Sequence, residues 1–312
     1  MIEEKTPVEE IMKQAYKHRI LILAFNVAYI PMIKPIVESL KRHRTFGLVE
    51  VSRPDVEKFG AGSFEEVSQK YYALGERVFT RLHLDHIPVI DEDREKVNWE
   101  ELIQAALELK YDSVMVDGSR LTLEENISVT RKVVELAHSY NVPVEAELGA
   151  VFGHEEGPLP PYEELFHSKK GFTGVREAER FVKETGVDWL SVAIGNIHGA
   201  ISGTAKDKKK ISARLDIEHL KKLVEVTKIP LVLHGGSGIK KFYLMEAIRN
   251  GISKINIGTS IRQAYESSLR NHPHDIVTAQ AKVSREMERL IKEYEIEGSW
   301  DLLGKYIIES SS

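Results

Sequence analysis

The chain contains no cysteine. That excludes disulfides, thiolate nucleophiles and cysteine-ligated zinc or iron–sulfur centres, and leaves its 12 histidines to carry any metal chemistry. Positive charge is not in excess either: 43 Lys and Arg face 48 Asp and Glu, a formal charge of -5. A nucleic-acid or anionic-membrane binder needs a concentrated positive field, so neither partner is expected. No apolar run approaches the ~20 residues that span a bilayer. The opening MIEEKTPVEE is acidic and lacks the hydrophobic stretch of a secretion signal, so the expected location is cytoplasmic. What is present is a globular composition, 42% apolar and 29% charged, in 312 residues, enough for one large α/β barrel.

Short β-branched or apolar runs alternate with helical patterns. The runs are 21–26 (LILAFN), 46–52 (FGLVEVS), 78–85 (VFTRLHLD), 112–117 (DSVMVD), 143–147 (PVEAE), 189–194 (WLSVAI), 230–234 (PLVLH) and 254–257 (KINI). Several are nearly continuous apolar stretches, as parallel strands buried on both faces should be. Helical spacing fills 99–109, 124–139, 175–185, 215–226 and 240–249, with Asn98 placed to cap the first of these. Eight strands alternating with helices imply an α/β chain folded as a (β/α)₈ barrel over 1–312, with 276–312 as a C-terminal helical extension. A doubly wound sheet is the alternative, but no G-x-G-x-x-G follows the first strand. Residues 152–172, polar and rich in Gly and Pro, read as a long loop after strand five, a length at which functional lids occur. The run 206–210 (KDKKK) reads as a solvated loop.

The polar residues fall at the strand ends. In a barrel the carboxyl ends share one mouth, so His86, His198 and His234 would bring three imidazoles around one point. With a water or substrate oxygen they make the open four-coordinate arrangement of catalytic zinc. Asp85 reads either as a strand-terminal cap or as a carboxylate exchanging a proton with substrate. His83, two residues earlier on the same face, either orients a neighbour or packs. Asp117 and Glu147 read as holders of the histidine rings or as ligands of a second metal position. Gly199, Gly235, Gly236 and Gly258, with Ser237 and Thr259, either serve tight turns or cradle a phosphate at the start of a helix.

Six stretches in order, LHLDH (82–86), SVMVDGS (113–119), VEAELG (144–149), AIGNIHG (193–199), LVLHGGSGI (231–239) and KINIGT (254–259), resemble the class II, metal-dependent ketose-bisphosphate aldolases. The resemblance implies reversible cleavage of the C3–C4 bond of a ketose phosphate, such as fructose 1,6-bisphosphate, to dihydroxyacetone phosphate and an aldehyde. It assigns His86, His198 and His234 to Zn²⁺, which Co²⁺ or Mn²⁺ can replace, with Asp117 and Glu147 as acidic neighbours of the metal. Asp85 matches the residue that exchanges a proton with the aldol hydroxyl, and Glu155 the acidic catalytic position of the loop after strand five. Asn256 matches a contact to the donor. Gly199, Gly235, Ser237 and Thr259 match its phosphate cradle, with Na⁺ or K⁺ nearby. Asn26 and Ser52 fall with the substrate-binding residues, and Arg53 is this chain's own candidate for the far phosphate. The metal replaces a Schiff-base lysine; the one lysine in a candidate strand is Lys254, read at the start of strand eight. A homodimer or homotetramer in carbohydrate metabolism (glycolysis) is expected.

The chain also departs from that pattern. Ser202 stands where a lysine is usual, Gly258 where aspartate is, Ile87 and Phe152 where glycines are, and His274 where an arginine is. Losing two cations predicts a weaker grip on a second phosphate. Two other functions stay open: an epimerase sharing the enediolate, and a non-catalytic sugar-phosphate-binding barrel.

Overall fold

Alternation along each strand decides which way it faces. The computed structural model describes residues 2–150, 161–196, 213–236 and 239–311. The first part of the chain forms α1 (Val8–His18), β1 (Ile22–Asn26), α2 (Ile33–Arg42), β2 (Gly47–Ser52), α3 (Arg53–Lys58), α4 (Phe64–Ala73) and β3 (Thr80–Pro88). Then follow α5 (Trp99–Glu108), β4 (Ser113–Asp117), α6 (Leu123–Ser139), β5 (Val144–Leu148), α7 (Tyr162–Ser168), α8 (Val175–Thr185) and β6 (Trp189–Val192). The remainder is α9 (Ile217–Thr227), β7 (Leu231–Leu233), α10 (Lys241–Arg249), β8 (Ile252–Ile257), α11 (Thr259–Asn271), α12 (Ile276–Glu293) and α13 (Ser299–Ser311). The eight strands pair in parallel, in chain order, and β8 closes on β1. This is the (β/α)₈ barrel with extra C-terminal helices.

Odd-facing residues such as Leu23, Phe25, Val49, Leu82, Val114, Ala146, Leu190 and Ile255 pack outward against the helices. The inward residues form three layers. At the bottom, Ile22, Leu48, Trp189 and Val232 join Val8, Ile11 and Met12 of α1 and Leu303 and Ile307 of α13. These two helices, in contact with each other, cover the amino end of the barrel. The middle layer is built of ionisable side chains: Glu50, His83, Glu145 and Lys254 are all fully buried. The top layer carries Asn26, Ser52, Asp85, Asp117, Glu147, His234 and Asn256. The usual barrel filling of Val, Ile and Leu is thus absent from two layers of three.

The sequence reading needs several corrections. Strand three runs past Asp85 to Pro88, and strand eight begins at Ile252, so Lys254 lies inside it rather than at its start. Residues 162–168 of the expected long loop are the helix α7. Asn98 occupies the N-cap of α5, but its amide donates to Glu101 and makes no bond to the helix backbone. Of the C-terminal extension, α12 lies against α2 and α11, on the outer ring. No helix of the described residues is long and apolar enough to cross a membrane.

Candidate active site

The mouth is built around an irregularity in β3. Regular pleating sends Asp85 and His86 to opposite faces. Here the register of β3 against β4 shifts between Leu84 and Ile87, and His86 takes a left-handed conformation with φ 38°. An extra residue of this kind re-aims a side chain at the cost of local strain. The imidazole of His86 therefore reaches the mouth beside Asp85 instead of the helix layer.

Asp85 is held from two sides. Asn26 Nδ2 donates to Oδ2 and Asn256 Nδ2 to Oδ1, each at 2.9 Å. Parallel pairing sets this up: Ala24 lies opposite Asn256, and Ser52 opposite Asp85. With both oxygens accepting amide protons, the carboxylate plane is fixed. Burial by itself would raise its pKa, but His86, His234 and Lys254 bring it below the ordinary value, so Asp85 is held in the anionic form. The family resemblance puts Asn256 on the donor; its amide nitrogen is committed to Asp85, while its buried Oδ1 accepts no hydrogen bond from the described residues.

His86, Glu147 and His234 converge within metal-ligating distance of one another. His86 Nε2 and His234 Nδ1 lie 2.6 Å apart, close enough to share a proton or a cation. Glu147 Oε2 sits 3.8 Å from the first and 3.7 Å from the second. Tetrahedral bonds of ~2.0–2.1 Å separate ligand atoms by about 3.3 Å, so the two ring nitrogens would part slightly around an ion. Each ring has a carboxylate behind it. Asp117 Oδ2 lies 3.5 Å from His86 Nδ1, and Glu145 Oε1 lies 2.8 Å from His234 Nε2. Asp117 stands behind the His86 ring and outside the converging trio. Glu145 is two residues before Glu147 in β5 and therefore on the same strand face, the one signal in the sequence that places it here.

The electrostatics match the geometry. Burial would lower the pKa of His86, but Asp117, Asp85 and Glu147 carry it up to about 10. Burial, together with Asp117, pushes Glu147 up to about 8. Six carboxylates (Glu50, Asp55, Asp85, Asp117, Glu145 and Glu147) lie inside the mouth or just beneath it, and against them the interior sets the Lys254 ammonium, 2.8 Å from Glu145 and 3.5 Å from Glu50. Burial holds the Glu50 carboxyl well above its ordinary value, and a buried set of carboxyl oxygens and imidazole nitrogens of this kind suits a divalent cation. His83 gives its Nδ1 to contact with Ser113 Oγ at 2.8 Å, and burial, reinforced by Lys254, pushes it down to about 3. It is a neutral ring in the middle layer.

All this opens into a cavity of about 770 Å³, lined also by Ser52, Gly235, Gly236, Gly258 and Thr259. Gly235 has φ 68°, and a Cβ on Gly236 would stand 2.8 Å from Ile255, so neither position suits a larger residue. Gly258 and Thr259 present the amino end of α11 to the cavity, which favours an anion.

Two expectations on the β2 side change. Ser52 lines the cavity, but its hydroxyl donates to Asp55 at 2.7 Å and takes part in the capping box of α3. Arg53 is not on the cavity wall: Nε donates to Glu57 and Nη1 to Asp91 at 3.0 Å. The arginines that do line the cavity are Arg94, Arg120 and Arg262, none of which stands in a recognisable motif. His274 is exposed in the turn between α11 and α12. Glu155, His198, Gly199, Ser202 and Ser237 lie outside the described residues.

Asp55 provides a first expected result. Burial raises it to about 6, opposed by its bonds from Ser52, against about 3.9 in an unfolded chain. A raised carboxylate supports folding fully below the unfolded value and loses that support as pH climbs through the folded one. Relative to Asp55→Asn, the wild type should lose about 2–3 kcal/mol between pH 4 and pH 7. Urea unfolding of both proteins at the two pH values measures it. A difference independent of pH would show that folding does not raise the Asp55 pKa.

The family model described as fructose-bisphosphate aldolase class-II matches residues 6–300. The chain belongs to the class II fructose-bisphosphate aldolase family. Among the relatives of this class II chain is the 6-phospho-5-dehydro-2-deoxy-D-gluconate aldolase of Bacillus licheniformis, 32% identical over 268 residues and covering 85% of this chain and 82% of the relative. The fructose-bisphosphate aldolase of Streptococcus pneumoniae is 28% identical over 280 residues, 89% of this chain and 86% of the other. Among solved structures, the YdjI aldolase from Escherichia coli K12 superposes with a TM-score of 0.74 at 26% identity, covering 94% of this chain and 98% of that one.

Proposed function

We propose that this class II aldolase cleaves a ketose 1-phosphate, with a divalent metal, Zn²⁺ first, held by His86 and His234 together with Glu147 or His198. The observation that carries the reading is the convergence of His86, Glu147 and His234 beside an Asp85 fixed by two asparagines. When bound, the ion is a Lewis acid for the donor carbonyl and offsets the negative charge that develops there as the C–C bond breaks. The rest falls to the protein. Asp85 accepts the C4 hydroxyl proton. The O–H electron pair becomes the aldehyde C=O, and the C3–C4 pair stays with the three-carbon donor. Glu155 is the group proposed to return a proton to the donor carbon. Asn256 Oδ1 faces the donor, while Gly235, Thr259, Gly199 and Ser237 hold its phosphate through N–H and hydroxyl groups, with Na⁺ or K⁺ as a neutralising neighbour. The protein is proposed to work in the cytoplasm as a homodimer or homotetramer.

Arg262 supplies the cation that Ser202 does not. Its guanidinium lies over the Phe59 ring at 4.4 Å, donates to Glu266 at 2.8 Å, and reaches the cavity one helical turn beyond Gly258. A charge-assisted hydrogen bond contributes roughly 1.5–3 kcal/mol, so Arg262→Met should raise KM for a phosphorylated substrate by about 10- to 100-fold with a smaller change in kcat. An unchanged KM would remove Arg262 from the site.

A panel of ketose phosphates followed by mass analysis tests the reaction class. Dihydroxyacetone phosphate as product supports the aldolase. Isomeric sugars would indicate an epimerase, and thermal stabilisation without turnover a binding barrel. Within the panel, fructose 1,6-bisphosphate should be favoured over fructose 1-phosphate only weakly, because Ser52 is bonded to Asp55 and Arg53 to Asp91 and Glu57. The buried Asp55 carboxylate beside Ser52 also repels a second phosphate.

A further inference from the structure

Beneath the mouth, a hydrogen-bonded line runs from β8 to the proposed metal. Lys254 Nζ donates to Glu145 Oε2 at 2.8 Å, and the other oxygen of the same carboxylate meets His234 Nε2 at 2.8 Å. All three side chains are at most 1% exposed. We infer that Lys254 is a positioning residue of the metal centre: it fixes the rotation of the Glu145 carboxylate, which in turn makes His234 Nε2 the N–H donor and leaves the Nδ1 lone pair facing His86 and Glu147. This rests on the metal reading given above and adds to it the residue that sets the ligand tautomer.

A plain charge-neutralising pair would explain the burial but not this division of labour. Glu145 has two oxygens and uses one for each partner, so the ammonium determines where the second oxygen points. The lysine itself is anchored in the interior, with Glu50 at 3.5 Å and Asn256 two residues further along the same strand. Asn256 bonds Asp85, so a single strand aligns the ligand through Lys254 and the proton-transfer group through Asn256. For stability alone, an apolar pair of similar volume serves as well as a buried ion pair. It could not orient an imidazole. Carboxylates behind metal-bound histidines set ring tautomer and basicity, and losing one typically weakens metal binding 10- to 100-fold.

The experiment uses the full-length protein, with Zn²⁺ affinity from chelator competition and the visible spectrum of the Co²⁺ form, on variants shown to be folded by circular dichroism. Glu145→Gln and Lys254→Met should each weaken Zn²⁺ binding by about 10- to 100-fold and shift the Co²⁺ bands. Because both act through one line of bonds, the double variant should be no weaker than Glu145→Gln alone. Wild-type affinity and spectrum in a folded Lys254→Met protein, with only its unfolding temperature lowered, would make Lys254 structural and overturn the inference. If the single lysine variant does not fold, the comparison of Glu145→Gln with the charge-balanced double variant decides. Wild-type affinity in Glu145→Gln, or a further loss in the double variant, overturns the inference. A wild-type protein that takes up no divalent ion contradicts the metal reading itself, and this inference with it.

Discussion

Asp85→Asn is expected to keep the fold and the metal and to lower turnover by ~10²–10⁴-fold, the usual cost of removing a positioned proton-transfer group. The substitution preserves size, but an amide cannot accept the C4 hydroxyl proton, and its NH₂ would oppose one of the two asparagine amides that now donate to the carboxylate. The loss should therefore fall mainly on kcat, with KM changed less. Steady-state kinetics on protein of measured metal content checks both halves. A variant within threefold of wild type would reduce Asp85 to a structural tie between β1, β3 and β8.

His234→Ala should have the larger effect. It removes the Nδ1 ligand, and it also leaves the buried Glu145 carboxylate with one hydrogen bond, from Lys254, instead of two, and with His83 Nε2 at 3.7 Å. A Lewis acid contributes several kcal/mol to such a transition state, so activity should fall roughly 10³-fold or more. Treating the wild type with a strong chelator should reach a comparable state, reversed by Zn²⁺, Co²⁺ or Mn²⁺; in the variant the added metal should restore little. Full activity in chelated wild-type protein would contradict the metal-dependent reading.

Much of the site was legible because barrel topology gathers strand ends, and the strand ends carry the polar residues. Asp85, Asp117, Glu147, His234 and Asn256 could be placed at one mouth from alternation and order alone, and His86 from its place at a strand end but not from alternation. Other features were present but unread. The Ser52-x-x-Asp55 spacing is a capping-box signal, and it already implied that Ser52 would spend its hydroxyl on α3. Glu145 shares a face with Glu147. The apolar spacing of Val8, Ile11, Met12 and Ala15 marks α1, which covers the barrel floor. The rest has no local signature. That His86 turns inward depends on a register shift between two strands, and that Arg262 rather than Arg53 reaches the cavity depends on which partners each finds in three dimensions. The ionisable middle layer is likewise a tertiary fact: Lys254 is stable there because Glu145 and Glu50, from strands far away in sequence, face it.

The account stands on one ion at one place. Crystals loaded with Zn²⁺ or Co²⁺ and measured by anomalous diffraction locate it directly. The expected result is a single strong peak about 2.0–2.2 Å from His86 Nε2 and His234 Nδ1, with Glu147 or His198 completing the set, and no such peak in His234→Ala. A peak instead among Glu50, His83 and Asp85, or among Asp85, Glu145 and His234, the two other buried clusters of the described residues that could hold a metal, would contradict it, because an ion at either place would occupy the carboxylate that must take the substrate's proton.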